Sequence, residues 1–247
     1  MQLGQQNIEY KSNAVITGEF FMKTLKRSHE YKPFIKLVSK IIIILIIIQL
    51  LRAFVMDSLW YVIKPGENIV LFQILNGISF LIVGIFLLIL FKPSLKTLSL
   101  NLDDVRKRTK TIYFAGLIAL PVFIILPTAL GAELDIIVLS FIFGLIVPAF
   151  EELLFRGYLW NNMQNSLKGE HSGLITWITI TVLFGLWHIG YLDVFLIHPK
   201  EFAIIPLLVG KIEVGLILGA IVGFIRLKTN KVYGSFLFHG FWNILAP

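Results

Sequence analysis

Long apolar segments separated by short polar ones make up most of the chain after residue 36. Each segment approaches the roughly 20 residues that an α-helix needs to cross the hydrocarbon core of a bilayer. Within lipid only a helix pairs its own backbone groups, so even the β-branched run Ile41–Ile48 is predicted to be helical. The pattern predicts an all-α fold, a polytopic transmembrane helical bundle of about seven spans. We place the spans at residues 37–56, 69–91, 112–130, 136–159, 174–196, 202–225 and 232–246.

The same pattern divides the chain into four parts. They are a basic N-terminal arm at residues 1–36, two N-terminal transmembrane helices at 37–91, a basic loop at 92–111 and a transmembrane core at 112–247. The apolar pattern is weakest between residues 190 and 212, so six to eight spans agree with it. One helix face carries a glycine every four residues, which is typical of close helix packing in membranes. These glycines are Gly215, Gly219 and Gly223.

Composition excludes several other classes of protein. Hydrophobic residues make up 57% of the chain and charged residues 15%, which does not suit a soluble domain. The net charge of +7 comes from basic residues between apolar runs rather than along a groove, so nucleic acid is not an expected partner. The absence of cysteine excludes disulfides and thiolate sites. The polar, basic N-terminal arm does not resemble a cleavable signal peptide, so we expect the first span to be retained.

The distribution of basic residues predicts the orientation. An inside N terminus places 18 of the 22 Lys and Arg residues in the cytoplasm, which the positive-inside rule favours. The four outside are Arg52, Lys64, Lys200 and Lys211. We therefore expect a cytoplasmic N terminus and, with seven spans, an outside C terminus.

Charged residues within the fourth apolar segment form the first candidate group, since such residues are costly in a membrane and usually functional. Glu152 and Arg156 are four residues apart and can pair on one helix face. Glu151 lies about 100° around the helix from its neighbour. Such a carboxylate suits acceptance of a proton from water. A helix end at the membrane interface is the alternative explanation.

Histidines in two further spans form the second and third groups. His188 lies within the fifth apolar segment, and Phe184 falls one turn earlier on the same face. His239 and Asn243 lie four residues apart in the last segment, so they project from one face. Two donors on one face are what a developing oxyanion needs. A packing histidine and an interhelical hydrogen-bond pair are the alternatives.

The three groups match, in order, the motifs of a known family. The sequence reads EExxxR over Glu151–Arg156, FxxxH over Phe184–His188 and HxxxN over His239–Asn243. In these motifs the chain resembles the CAAX-protease and bacteriocin-processing (CPBP, also called Abi) family, over roughly residues 136–247. The resemblance implies an intramembrane endopeptidase that cleaves near the cytoplasmic leaflet. Residues 112–247 would then be a CPBP/Abi-like catalytic core.

The resemblance also implies roles for single residues. Glu151 and His188 would hold and activate the attacking water, and His239 and Asn243 would stabilise the tetrahedral oxyanion. The supporting residues would be Glu152, Arg156 and Phe184.

The depth of the two water-activating residues constrains the helices that carry them. Glu151 approaches the cytoplasmic face in the predicted orientation, whereas His188 lies about 22 Å along the fifth helix. The two can meet if the fourth span continues to Trp160 or beyond, or if the fifth helix begins as an interfacial segment in the cytoplasm.

Zinc is the cofactor that this set of side chains brings into question. Glu151, His188 and His239 with one water would satisfy its coordination. However, they come from three helices with no preformed His pair, and Asn243 is a poor zinc ligand but a good oxyanion donor. We therefore expect no metal, with zinc on those three residues as the alternative. The expected partners are a peptide or protein substrate and the lipid bilayer, and the oligomeric state is left open.

Two other functions compete with proteolysis. A non-catalytic immunity or regulatory protein could keep this fold, but a degenerate relative would be expected to lose Glu151 or a histidine. A proton-coupled transporter could use the buried Glu and His residues, but no broken-helix inverted repeat is evident. We expect a multi-pass protein of a bacterial plasma membrane that processes a membrane-associated or small precursor peptide, in bacteriocin maturation, signal-peptide processing or self-immunity.

Overall fold

The structure is a computed structural model. It describes the backbone of residues 2–198 and 203–245, and the side chains of residues 32–198 and 203–245. The chain forms two compact units, residues 1–43 and residues 44–247. Most side chains of the predicted basic arm lie outside the described residues. So do residues 199–202, within the region where the span count is weakest, and the end of the last predicted span at residue 246.

Helices account for nearly all of the chain that the structure describes, and no β-strand occurs in residues 2–198 or 203–245. In chain order they are α1 (Gln2–Ile63), α2 (Ile69–Phe91), α3 (Lys107–Ala129), α4 (Leu134–Ser166), α5 (Ser172–Ile197), α6 (Ile204–Thr229) and α7 (Val232–Leu245). The first six each contain an apolar stretch long enough to cross a membrane. The predicted polytopic helical membrane fold is therefore confirmed.

The seventh predicted span is present as a helix but is short. α7 has 14 residues, which is roughly 21 Å of helix at 1.5 Å per residue. That length is less than the hydrocarbon thickness of a typical bilayer, about 30 Å. The orientation of the chain and its four-part division stay predictions.

α4 departs from regular α-helical geometry on both sides of the candidate glutamates. It contains two wider π-helical segments, Ile142–Ile146 and Leu153–Leu159. Pro148, which has no N–H to donate to the preceding turn, lies between them. Single π turns inside α-helices occur frequently at functional sites. α4 also runs beyond Trp160 to Ser166, which is the first of the two arrangements that would let Glu151 and His188 meet.

The loop between α2 and α3, predicted as a basic boundary, is fixed to the bundle by polar contacts. The Asn161 side chain on α4 donates to Thr97 O at 2.7 Å and to Ser99 Oγ at 2.8 Å. At the start of α7, Lys231 Nζ lies 2.6 Å from Asp104 Oδ1. The hydrogen bond from Lys231 lowers the pKa of Asp104 below its ordinary value. Because of these contacts, the loop covers one end of α4 and α7.

The glycine face of α6 packs against α5, as the sequence predicts. A β-carbon on Gly223 would lie 2.6 Å from Trp177 Cδ1, and one on Gly219 would lie 3.0 Å from Phe184 Cδ1. A β-carbon on Gly215 would lie 2.7 Å from Nδ1 of His188. Only glycine leaves room for side chains of α5 at these positions. The close contact of the two helices therefore helps to place His188.

We expect Gly223→Ala to lower the thermal stability of the protein. The new β-carbon would displace the Trp177 indole, which donates to Ala220 O at 3.0 Å. Overpacking of this kind costs about 1–3 kcal/mol. The measurement is the thermal unfolding midpoint in detergent.

Gly210→Ala is the matched control on the same helix, since nothing lies within 4 Å of its β-carbon position. Alanine favours a helix over glycine, so its midpoint should equal or exceed that of the wild type. Equal midpoints for Gly223→Ala and Gly210→Ala would contradict the packing role of the glycine face.

Candidate active site

A buried ion pair on α4 is the innermost part of the site. Arg156 Nη1 donates to Glu152 Oε1 at 3.1 Å, and both side chains are 0% exposed. The pairing follows from the four-residue spacing on one helix face. The guanidinium also donates to Gly219 O of α6 at 3.2 Å and lies 4.1 Å from the centroid of the Phe184 ring on α5. Arg156 thus contacts three helices through one planar group.

His239 of α7 links the two glutamates. Its Nδ1 lies 2.9 Å from Glu152 Oε1, and because a carboxylate only accepts, this nitrogen carries the proton. Its Nε2 lies 3.8 Å from Glu151 Oε2. An imidazole held through one nitrogen by a carboxylate has its ring orientation and tautomer set by that bond. The other nitrogen of His239 is thereby directed toward Glu151.

Glu151 is buried, and its two oxygens have different surroundings. Oε1 accepts a hydrogen bond from Trp187 Nε1 at 2.9 Å and one from the Tyr191 hydroxyl at 3.3 Å. Oε2 faces His239. Two donors on one oxygen fix the orientation of the carboxylate. Glu151 is therefore held from α5 on one side and faces α7 on the other.

His188 lies at the break between two parts of α5. Regular α-helix ends at Trp187, and a 3-10 turn covers His188–Tyr191. The Nδ1 of His188 donates to Phe184 O at 2.9 Å, which leaves Nε2 as a proton acceptor. The imidazole also stacks on the Tyr191 ring, with centroids 5.6 Å apart. The 3-10 turn thus orients His188 with its Nε2 available as a hydrogen-bond acceptor.

Phe184 separates the two imidazoles, which fits its predicted supporting position. Its ring contacts His188 and His239 edge-on, with centroids 5.2 Å and 5.9 Å away. The same ring receives the Arg156 guanidinium on its face. The Phe184 ring therefore keeps the two imidazoles apart and also contacts the buried guanidinium of Arg156.

Asn243 is placed differently from the other predicted residues. Its Nδ2 donates to Phe143 O, in the first π-helical segment of α4, at 2.9 Å. This bond joins α7 to α4, which is the interhelical arrangement that the sequence left as an alternative. Gly240 supports the close approach, since a β-carbon there would lie 2.5 Å from Gly144 O. The structure shows no hydrogen bond between Asn243 and the other described site residues.

Two residues that sequence reasoning did not assign to the site donate to Glu151. Trp187 precedes His188 within the second motif, and Tyr191 follows one turn later. A signal was present in the sequence, because a buried indole N–H or phenol O–H requires an acceptor. The identity of that acceptor depends on the packing of α5 against α4, which the sequence pattern does not show.

The side chains that the structure describes do not form a metal site. Among the side chains in residues 32–198 and 203–245, no group of three His, Asp or Glu residues is arranged to hold a metal ion. The zinc ligand set considered from the sequence, Glu151, His188 and His239, is therefore not assembled as a three-residue metal site in this part of the chain.

The family comparison covers the part of the chain that carries the site. Residues 133–245 match the family described as Rce1-like, type II CAAX prenyl endopeptidase Rce1-like. This segment contains α4 to α7 and therefore all three motifs. Comparison with curated proteins and with solved structures gives no match. The CAAX-protease resemblance predicted from the motifs is confirmed over residues 133–245, which match the model of that family.

Proposed function

We propose that this multi-pass membrane protein is an intramembrane endopeptidase in which Glu151 activates water. The observation that carries the proposal is the environment of Glu151. One of its oxygens is held by Trp187 and Tyr191, and the other faces an imidazole. A carboxylate fixed in this way among imidazoles of other helices suits general-base catalysis. The matched family supports a protease.

In the proposed reaction, water binds between Glu151 and Nε2 of His188. Glu151 takes a proton as the water oxygen attacks the carbonyl carbon of the scissile peptide bond. The tetrahedral oxyanion accepts one hydrogen bond from Nε2–H of His239 in its imidazolium form. It accepts another from the second N–H of the Asn243 amide, whose first N–H is donated to Phe143 O. The C–N bond then breaks, and the proton on Glu151 passes to the leaving nitrogen. The products are an amine and a carboxylic acid, which loses its proton to solvent.

Glu152 would stabilise the positive charge on His239 during this step. Its carboxylate accepts the Nδ1 proton of the imidazole, and a carboxylate in this position stabilises an imidazolium. Arg156 prevents Glu152 from being left as an uncompensated buried charge. The supporting pair thus acts through His239 rather than on the substrate.

The space beside the site supports an apolar substrate. A cavity of about 210 Å³ is lined by Glu152, Ala149 and Leu153, together with apolar residues of α3 and α7. A second cavity of about 310 Å³ shares Ala149 and Leu153 and extends along α2. Side chains lining both cavities are almost entirely apolar.

We propose that the substrate is a membrane-associated or small precursor peptide and that the protein lies in a bacterial plasma membrane. The proposed role is bacteriocin maturation, signal-peptide processing or self-immunity.

We expect Glu151→Gln to abolish cleavage of such peptides. Glutamine can still accept the hydrogen bonds from Trp187 and Tyr191, but it cannot take a proton from water. Loss of a general base lowers the rate by at least about 100-fold. The measurement is the initial rate of peptide cleavage by purified protein in liposomes.

Glu170→Gln makes the same chemical change at an exposed position between α4 and α5, and it should cleave at the wild-type rate. Equal rates for the two variants would refute the role of Glu151. If the wild type cleaves none of a broad panel of precursor peptides, a non-catalytic immunity protein becomes the better explanation.

We expect Trp187→Phe to lower kcat by about 10- to 100-fold, because a hydrogen bond to a charged group contributes about 1.5–3 kcal/mol. Phenylalanine keeps the aromatic contact with Phe155 but cannot donate to Glu151. The measurement is kcat and KM for one peptide. Trp177→Phe is the control, since the indole of Trp177 donates to Ala220 O instead of Glu151. Unchanged kcat in Trp187→Phe would contradict the role of Trp187 as a donor to Glu151.

Treatment with a strong chelator should leave the cleavage rate unchanged, because the described side chains do not provide a three-residue metal site. The measurement compares the rate before chelation, after chelation and after addition of zinc. Activity that disappears with the chelator and returns only with zinc would replace the proposed mechanism by a metal-dependent one.

A further inference from the structure

The break in α5 places irregular backbone inside an apolar segment. The 3-10 turn His188–Tyr191 separates two α-helical parts of a helix that is long enough to cross a membrane. Lipid offers no hydrogen-bond donors, so backbone carbonyls that leave regular helix need donors from elsewhere in the protein. The turn carries His188 and Tyr191, with Trp187 directly before it. Whatever stabilises this turn therefore positions three side chains of the site.

Two side chains of α1 donate to carbonyls at this break. Gln49 Nε2 donates to Trp187 O at 2.9 Å. Arg52 Nη2 donates to Gly190 O at 2.7 Å. The two donors lie three residues apart on one face of α1, so both can reach the same turn.

Arg52 is held firmly in this position. It is 0% exposed and forms an ion pair with Asp193, at 2.5 Å, just after the turn. Its Nε also donates to Gln49 Oε1 at 2.8 Å, and its guanidinium lies 5.3 Å from the centroid of the Tyr191 ring. The predicted orientation places Arg52 among the basic residues outside, whereas the structure buries its side chain completely. Fully buried cations in membrane proteins are usually functional.

Gly190 is also matched to α1. A β-carbon at this position would lie 2.3 Å from Nε2 of Gln49. Only glycine allows the Gln49 amide to reach the backbone of the turn. The geometry of the break thus depends on residues from both helices.

We propose that Gln49 and Arg52 are positioning residues, which hold the 188–191 turn so that Trp187, His188 and Tyr191 meet Glu151. The catalytic part of this inference rests on the proposed function. Both residues lie outside the matched segment 133–245 and outside the predicted core 112–247. Helix α1 then helps to position the catalytic residues, and the predicted core alone is incomplete.

The first test measures kcat and KM for Gln49→Leu and Arg52→Lys in the full-length protein. Leucine leaves the Trp187 carbonyl without its donor, and lysine can pair with Asp193 but cannot make the several directed bonds of a guanidinium. Misplacement of catalytic groups by about 1 Å can cost about 100-fold. We expect kcat to fall by about 10- to 100-fold with KM nearly unchanged, since the substrate itself is not contacted.

Ser79→Ala is the matched control, because Ser79 is a buried polar residue of α2 whose hydroxyl donates only within its own helix. It should keep the wild-type kcat. Rates are compared at a temperature well below the thermal midpoint of every variant, because the loss of buried hydrogen bonds at these positions lowers stability. Wild-type kcat in both Gln49→Leu and Arg52→Lys would overturn the proposal, and so would a loss of kcat that disappears when rates are corrected for the folded fraction.

The second test does not require activity. The chain has no cysteine, so Ile189→Cys provides one attachment site for a nitroxide beside His188, at a position that is 46% exposed. Gln49→Leu should increase the mobility of this label, seen as narrower electron paramagnetic resonance lines. A label at Ile178→Cys, on the regular part of α5 and 54% exposed, should not change.

The two tests separate failure of this inference from failure of the proposed function. If the wild type cleaves no peptide but the label at residue 189 is freed in Gln49→Leu, the proposed function fails and the role of α1 in holding the turn stands. An unchanged label at residue 189 overturns the positioning role even in an active protease.

Discussion

The site depends on one buried carboxylate, that of Glu152. It receives the guanidinium of Arg156 and the Nδ1 proton of His239 on the same oxygen. Removing charges from water is costly, so loss of either partner would leave a poorly compensated charge in the protein interior. Because the partners come from α4 and α7, and Arg156 also contacts α5 and α6, this carboxylate ties together all four helices of the matched segment. The direction of the His239 imidazole follows from it.

Glu151 and Glu152 are neighbours in sequence, but their environments give them different tasks. The helical rotation of about 100° per residue directs one carboxylate into the ion pair and the other toward α5. Glu152 is balanced by a cation, whereas Glu151 receives only neutral donors on one oxygen and an imidazole near the other. In acid–base sites, two neighbouring carboxylates often take different chemical roles because their environments differ. This difference supports Glu151 as the base and Glu152 as a supporting residue.

The sequence predicts those features that depend on local pattern. Apolar length predicts five of the helices, α2, α3, α5, α6 and α7, within about five residues, whereas α1 and α4 extend further than the predicted spans. The spacing of four predicts the Glu152–Arg156 pair and the glycine face of α6. Contacts between helices are less accessible, because periodicity shows which face is apolar but not which helix covers it. For this reason only the structure shows the contacts made by Trp187, Tyr191 and Arg52. Asn243 illustrates the same limit, since the sequence indicates an amide donor here but not its acceptor, Phe143 O, which lies in a π-helical segment that no pattern indicates.

Irregular backbone is concentrated around the site: two π-helical segments enclose the glutamates of α4, and a 3-10 turn carries His188 on α5. A regular helix directs its side chains at fixed angles, so departures from regularity provide orientations that it cannot. In a membrane, such departures persist only where other protein groups satisfy the displaced carbonyls. Here α7 donates to α4 through Asn243, and α1 donates to α5 through Gln49 and Arg52. The irregular backbone of α4 and α5 is thus held by hydrogen-bond donors from neighbouring helices, and the buried arginine of α1 is one of these donors.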